Sequence, residues 1–562
     1  MDPPPRDAPA ASQWLTALDR PSGGAMRTLG ATYGPDSGRI AERCRLLRRT
    51  LARFIAAFGD GPVRVFRSPG RINLRGMHVD THGGWLNLMT LHRETAAVVR
   101  PTESGACRAV NADPAHPAKA FDLAEDLRDP AFGGSWTGYI TTDGARRRAE
   151  AAGWAAYVRG SLARASRACG RPVGMEIAVG GDIPEGAGLS SSSALCTAAY
   201  LAGCAQGGAR CRMEGLIAGI RDAEWYAGAR IGVSDQAAML LGGVGALVRV
   251  ALYPPDLDAS AAERIAFPEE LAVVVVNSFT QRSLRGAAGI DYVRNRFAYS
   301  LAMEALRRHM AEAGLPAEAI ARTDRLSRVT AEALARYADD GDGLGLLYAL
   351  LLRVPEAAAV SELRGRYGAG LVDEAFATYF GEIPEADRPA RIDLRGPLTF
   401  GVAESERARV FAEALTGPTP ERAGRLMCIG QDGDRRIGPD GRPWAWRADD
   451  ARLAELRARR TPLAEVPGAY DASSPALDRL ADVAVGAGAL GASLTGGGVA
   501  GSVLALCRRA DVSAVCEAVT AELGSRAYAA LAGLEGVPAD PERGVEFHAS
   551  TAAAGELRLT PA

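Results

Sequence analysis

The sequence predicts a chain of mixed helices and strands in two lobes that divide near residue 265. Three observations carry this. Apolar residues recur at helical spacing, as in Ile40, Leu46, Leu47, Leu51, Phe54 and Ile55. They alternate at strand spacing in Val173, Met175, Ile177 and Val179. A loop-like stretch near residue 265 separates two halves, each with its own glycine-rich loop beside an apolar run. At 562 residues the chain is long enough for more than one core.

Taken in order, residues 1–35 are rich in Pro, Ala, Gly and Ser and are expected to be a disordered tail. A helix is expected from Ile40 to Phe58. The strand-like Val63–Phe66 follows and runs into SPGRINLRGMHVDTHGG. After Gly83-Gly84, a β-rich run extends from Leu86 to Val99. Trp154 to Cys169 reads as an amphipathic helix. The alternating 173–179 strand, half-buried by its pattern, ends in GGDIPEGAG, after which LSSSSALCTAAYLAGCA reads as an Ala-rich helix. Leu271 to Val276 is a short buried strand, and Ile290 to Met310 is helical. The first lobe then covers 36–265 and the second 266–562. Residues 311–395 and 436–466 read as inserts, expected to be surface elaborations.

Composition excludes several chemistries. Lys119 is the only lysine, so 64 of the 65 basic residues are arginine. It sits in HPAKAF, which fits neither a Walker loop nor the strand lysine of a protein kinase. Phosphate chemistry here must use arginine, backbone amides and a metal ion. A net charge of -2 and the absence of a basic, aromatic-laced block argue against nucleic acid as a partner. Nine scattered cysteines without a CxxC motif predict free thiols in a reducing, cytoplasmic compartment. The first residues show no secretory signal. Val483 to Cys507 lacks charge, but seven of its 25 residues are glycine. A glycine loop between packed elements is therefore expected there, not a membrane span.

Four constellations can carry chemistry. In the first, Pro184-Glu185-Gly186-Ala187-Gly188-Leu189 leads into Ser190, Ser191, Ser192 and Ser193 at a helix start. Such a helix N-terminus binds anions, and its hydroxyls suit magnesium; a plain serine N-cap is the competing reading. In the second, Arg71, Asn73, Arg75, His78, Asp80 and His82 fall within 12 residues, either a solvated loop or a site for a polyhydroxy ligand. The third is Gly232-Val233-Ser234-Asp235-Gln236, after a helix carrying Glu224 and Trp225; Asp235 is either an N-cap or a base for a hydroxyl. The fourth is Ser493 to Gly498, a second glycine loop or a tight turn.

Together, in this order, they resemble the GHMP small-molecule kinases, and most closely the galactokinase branch. Gly70 to Gly84 is similar to GRxNLIGEHxDYxGG. Pro184 to Ser193 is similar to PxGxGLSSSA, with Ser193 in place of alanine. Thr495 to Gly501 is similar to TGGGxGG, with Ala500 in place of one glycine. Trp154 to Gly160, Asn277-Ser278, Asp291 to Arg294, Phe400 to Leu415, Arg425 to Met427 and Ser473 to Asp478 resemble further galactokinase stretches.

The resemblance implies an α+β, two-lobed GHMP kinase fold. Its first lobe has a mixed sheet and the phosphate loop, its second is ferredoxin-like, and the site lies between them. It implies an ATP-dependent sugar kinase acting on an anomeric hydroxyl, with a small-molecule sugar and ATP as partners and magnesium as cofactor. By this resemblance Asp235 and Arg71 are catalytic, and His78, Asp80, Met77, Gly232 and Tyr292 bind substrate. Pro184, Gly186, Gly188, Leu189, Ser190, Ser191, Ser192, Ser193 and Gly497 bind ATP, with Ser192 and Glu224 at the metal.

Galactokinases have a glutamate where this chain has Met77, and often a tyrosine where it has Thr81. The glutamate contacts the C6 region of the sugar, so a sugar altered or extended at C6 is expected. A non-catalytic sugar and ATP sensor, or a uronic-acid, arabinose or heptose kinase, are the competing readings. In the uronic-acid case Arg75 would supply a cation near Met77.

Overall fold

The computed structural model describes residues 8–281, 287–380 and 383–559, excluding the side chains of 287–289, 291 and 292. The first lobe is built on an eight-stranded sheet containing β1 (Arg64–Arg75), β2 (Trp85–Pro101), β3 (Ala106–Asn111), β4 (Lys119–Asp122), β5 (Met175–Gly181), β6 (Ala246–Ala251) and β7 (Glu263–Ala266). Most neighbours are antiparallel; β3 and β5 pair in parallel, so the sheet is mixed.

β1 continues through Pro69-Gly70 to Arg75, and its register against β2 shifts at Pro69/Arg71 and at Asn73/Arg75. Proline removes a ladder donor and is tolerated at such irregularities. Half of the polar cluster that could have been a solvated loop is therefore a fully buried strand.

β5 is also buried on both faces, where its alternation had suggested one. Ile177 and Val179 face the core that includes the Ala156–Cys169 and Ser191–Gly207 helices, while Ala178 faces the Ser37–Phe58 helix.

The expected N-terminal disorder is corrected for residues 8–35. They form helices Ala11–Asp19 and Gly23–Tyr33, with Trp14, Leu18, Leu29 and Tyr33 buried. Trp14/Leu18 and Ala25/Leu29/Tyr33 repeat every fourth residue, and these short stripes pack on Leu47, Leu51, Val65 and Val98. Tyr33 donates to Glu94 at 2.8 Å, and Glu94 is also paired with Arg67, both fully buried.

Beyond β7 the chain enters the second lobe, whose sheet contains β8 (Leu271–Asn277), β11 (Gly491–Thr495), β12 (Ser502–Arg508) and β13 (Val545–Phe547) in the order β11-β12-β8-β13. All pairs are antiparallel, and helices Pro475–Gly486 and Val512–Leu523 cover one face; this is the ferredoxin-like arrangement. The strands β9 (Ala357–Ala359) and β10 (Arg391–Asp393) form a separate small ladder in the first insert.

The end of the chain does not stay in the second lobe. β14 (Gly555–Leu557) pairs with β1. Thr551 exchanges hydrogen bonds with Thr90, and Arg67 donates to the carbonyls of Ala552 and Ala553. His548 bonds the Thr90 carbonyl at 2.8 Å, and burial pushes its imidazole down to about 3.

The inserts are not a loose fringe. Leu326, Leu347, Tyr348, Phe376 and Phe380 are buried in the same core as the first lobe. The helix Asp450–Ala458 packs on Gly343–Arg353, and Ser327 N donates to the Gly83 carbonyl at 3.1 Å. Val483–Cys507 consists of a helix end, β11, a glycine turn and β12. Among the described residues no helix is long and apolar enough to cross a membrane. All nine cysteines are free.

Removing one partner of a buried ion pair strands the other. Glu94→Ala should therefore cost about 3–5 kcal/mol, and Tyr33→Phe about 1–3 kcal/mol, in urea unfolding of the full chain.

Candidate active site

The two glycine loops meet at the seam between the lobes. Ser502 Oγ donates to the Ala187 carbonyl at 2.7 Å, and a Cβ on Gly496 would lie 2.6 Å from the Gly188 carbonyl. Side chains are excluded here because two backbones are in contact. Beside this seam lies a cavity of about 430 Å³, lined from the first lobe by Arg71, Met77, His78, Asp80, Ser190 to Ser192, Glu224, Gly232 and Asp235. Gly496, Gly497 and Ala500 line it from the second.

The Ser191–Gly207 helix begins at the seam, preceded by Ser190 in the left-handed region at φ 66°. A non-glycine residue held there is strained, a condition that concentrates at functional sites. The conformation accompanies a direct bond, Ser190 Oγ to Asp235 Oδ2 at 2.5 Å. Arg71 Nε donates to Asp235 Oδ1 at 2.8 Å, and its Nη1 donates to the Gly188 carbonyl at 2.6 Å. Burial alone would raise the Asp235 pKa. The Arg71 charge and the bonds from Ser190, Arg71 and Ser193 outweigh it, and hold the carboxyl below its ordinary range.

Glu224 has the opposite balance. Burial, then the negative charge of Asp235, push it up to about 7, against the bonds from Ser192 and Ser193. Ser192 donates to Oε1 and Ser193 to Oε2, each at 2.7 Å. Ser193 Oγ also lies 3.0 Å from Asp235 Oδ2, so one hydroxyl sits between the two carboxylates.

Another wall of the cavity is built from the turn after β1 and the loop before the Ser234–Leu241 helix. Asp80 Oδ2 accepts from Ser234 N at 3.1 Å, and a Cβ on Gly232 would lie 2.0 Å from that oxygen. Only glycine lets Asp80 reach the backbone there. The Met77 side chain is buried, lines the cavity, and is backed by Val274, Val276 and Leu477 of the second lobe.

Not every expected residue faces the cavity. Leu189 is buried behind it, and its carbonyl accepts from Arg71 N; Ser193 is fully buried between carboxylates; Pro184 is not in the lining. The Tyr292 side chain lies outside the described residues. Arg75 cannot serve as a free cation near Met77. Its guanidinium donates to the carbonyls of Leu74, Leu426 and Met427, lies 3.4 Å from Glu404, and does not line the cavity.

The lining also includes residues that sequence reasoning missed: Thr95, Asn111, Asp113, His116 and Arg296. His116 lies 3.3 Å from Glu185 and edge-on to Trp154. The one local signal for it was the turn-forming NADPAH segment, in which Asn111 and Asp113 cap successive backbone amides.

Three family models match the chain: the galactokinase galactose-binding signature over residues 52–101, the GHMP kinases N terminal domain over 156–243, and the GHMP kinases C terminal over 449–525. The fold is similar to the galactokinase of Lactococcus lactis complexed with galactose. That match has a TM-score of 0.54 and 21% identity, over 90% of this chain and 97% of that one. Weaker similarity extends to the L. major mevalonate kinase, with a TM-score of 0.42 and 14% identity over 87% and 97% of the two chains. It extends also to a D-glycero-D-manno-heptose 1-phosphate kinase from Bacteriodes thetaiotaomicron, with a TM-score of 0.38 and 14% identity over 89% and 99%.

The raised Glu224 pKa has a defined sign in stability. A carboxyl at about 7 when folded and 4.5 when unfolded favours the fold most below pH 4.5, and that contribution fades as pH rises to 7. The loss is about 3 kcal/mol. Buried, neutral His82 and His548 give the opposite pH dependence, so the Glu224 contribution is read as the difference between wild type and Glu224→Gln in urea unfolding at pH 5 and pH 8.

Proposed function

This chain belongs to the galactokinase family of the GHMP kinases, and from that premise we propose that it transfers the γ-phosphoryl group of ATP to the anomeric hydroxyl of a galactose-like sugar altered or extended at C6. The observation that carries the reading is the Arg71–Asp235–Ser190 contact, placed where the serine-led helix start and the Asp80 turn share one cavity.

ATP phosphates lie against Gly186, Gly188 and the first turn of the Ser191–Gly207 helix, whose unpaired N–H groups favour anions. Arg71 supplies positive charge where the transferring group gains negative charge. Asp235 is ionised at neutral pH and receives the acceptor hydroxyl. Because its pKa is held low, it is a weak base in the ground state, and the proton moves to it as the oxygen–phosphorus bond forms. Most of the acceleration comes from positioning and charge.

Ser192 Oγ and the Glu224 carboxylate are hard oxygen donors lining the same cavity, which suits magnesium. Ser192 and Glu224 would hold magnesium together with phosphate and water oxygens, since among the described residues no group of three or more His, Cys, Asp or Glu could hold a metal ion. Held there, it would supply positive charge to the phosphates. Ser192 can keep its proton on Glu224 and offer a lone pair to the ion.

At the acceptor end, Met77 presents a thioether backed by hydrocarbon where galactokinases present a glutamate. A C6 hydroxyl placed against it would lose a hydrogen bond, a cost of about 1–3 kcal/mol. A deoxy or extended C6 avoids that cost.

An ATP-consumption assay on galactose, 6-deoxygalactose and higher-carbon galactose analogues tests the reading. Turnover of a C6-altered sugar at least tenfold more efficient than galactose is expected; galactose turned over as well as the altered sugars would overturn the C6 assignment. Asp235→Asn should lower kcat by about 10²–10⁴ with little change in sugar KM. A sensor would consume no ATP with any of them.

Magnesium held there would displace the Glu224 proton, so its affinity should rise about tenfold per unit below pH 7 beyond the rise due to the nucleotide's own terminal phosphate. Titrating magnesium into the complex with a non-hydrolysable ATP analogue reads this, and Glu224→Gln should leave only the terminal-phosphate slope.

A further inference from the structure

His78 belongs to the first lobe, yet its ring is held by the second. The residue is buried in the left-handed region at φ 62°. Its imidazole stacks face to face on Tyr470, with centroids 4.4 Å apart and planes 9° from parallel. Phe400 stands 6.0 Å away at a tilt. Nε2 lies 3.4 Å from Asp434 Oδ1, without hydrogen-bond alignment.

Asp434 ends the Glu421–Asp434 helix and is 1% exposed; its own carbonyl is taken by Ser473 N at 2.8 Å. The nearby guanidinium of Arg407 is committed to Glu404 at 2.8 Å and to the Val466 carbonyl. Both His78 Nε2 and Asp434 Oδ1 are buried without a hydrogen-bond partner. Two orphaned, complementary atoms 3.4 Å apart and misaligned match a contact that tightens when a ligand seats.

We propose that Asp434 is a positioning residue for the acceptor: it takes the Nε2–H of His78 and so presents an unprotonated Nδ1 to a sugar hydroxyl. The inference rests on the reading that His78 meets the sugar, and it adds a residue with no counterpart among the motifs of the chain. A histidine fixed by a carboxylate on one nitrogen has a defined tautomer on the other. The stacked Tyr470 restricts ring rotation, so the carboxylate sets which atom the cavity receives. The acceptor pocket, apolar at Met77, thus gains a hydrogen-bond acceptor at His78 whose direction comes from the second lobe.

The test combines kinetics with ¹⁵N NMR of the full chain labelled at histidine, His78 being assigned by loss of its signal in His78→Gln. The wild type is expected to show the Nε2–H tautomer. Asp434→Leu should lose it and raise sugar KM at least tenfold, with ATP KM within twofold. Asp434→Asn keeps an acceptor oxygen and should restore sugar KM to within about threefold of wild type. An Nδ1–H tautomer in the wild type, or a sugar KM in Asp434→Leu within twofold of wild type, overturns the proposal. If the leucine variant does not fold, the wild-type tautomer and the asparagine variant decide. If the wild type phosphorylates no sugar, the functional reading fails and the NMR arm alone decides the His78–Asp434 pairing.

Discussion

One guanidinium faces two buried carboxylates at the centre of this molecule, and the rest of the site follows from that imbalance. Arg71 pairs directly with Asp235, at 2.8 Å, while Glu224 lies beyond the shared hydroxyl of Ser193. A single cation cannot neutralise both at low dielectric. Asp235 is therefore held ionised, and Glu224 is pushed up to about 7. Splitting the two carboxylates gives them different character: one a permanent charge, the other a group that titrates near neutral pH. Arg71 also binds the Gly188 carbonyl, so the same side chain fixes the first glycine loop relative to Asp235.

That arrangement needs β1, the serine-led helix and the Ser234–Leu241 helix to converge, and the convergence depends on close backbone approach. Gly188 lies against Gly496 of the other lobe, and Gly232 lets Asp80 reach Ser234 N. These constraints are local in sequence, which is why the site was largely legible there. Glycines in short loops, four serines opening a helix, and an aspartate after Gly232 each advertise a backbone requirement. Arg71 was singled out by the resemblance of Gly70–Leu74 to the GRxNL motif, since its local context left a solvated loop open.

What could not be read depends on contacts distant along the chain. Asp434 stands more than 350 residues from His78, within a helix whose pattern is otherwise ordinary. The return of the C-terminus to β1 joins Leu557 to Val65, and no local feature marks an edge strand as the partner of another lobe. Arg75 entered only the uronic-acid alternative, as a cation near Met77, because a cation in a polar cluster invites a ligand role. Burial assigns it instead to carbonyls of Leu426 and Met427. The N-terminal helices failed for a compositional reason: their apolar stripes are two or three residues long, and proline, glycine and alanine around them dominated the average. The stripes become stable only because Val65 and Val98 of the sheet complete their core.

At three buried positions the contacts show why lysine could not stand in for arginine. Arg67, Arg75 and Arg407 are among the largest fully buried side chains, and each binds several acceptors in fixed directions. A lysine ammonium is a strongly hydrated point charge and would not satisfy two carbonyls and a carboxylate at once, whereas a planar guanidinium does. Arg67 ties the N-terminal helix, the central sheet and the C-terminal segment together through Glu94, Thr551 and Ala552. Arg75 and Arg407 converge on Glu404, which in turn accepts the backbone amides of Gly76 and Met77 at 2.7 and 3.0 Å. The turn that carries Met77 and His78 is thus anchored on a buried arginine pair of the lobe seam. The placement of the Met77 and His78 cavity wall and the interlobe packing are one structural problem in this chain, and arginine is the residue that solves both.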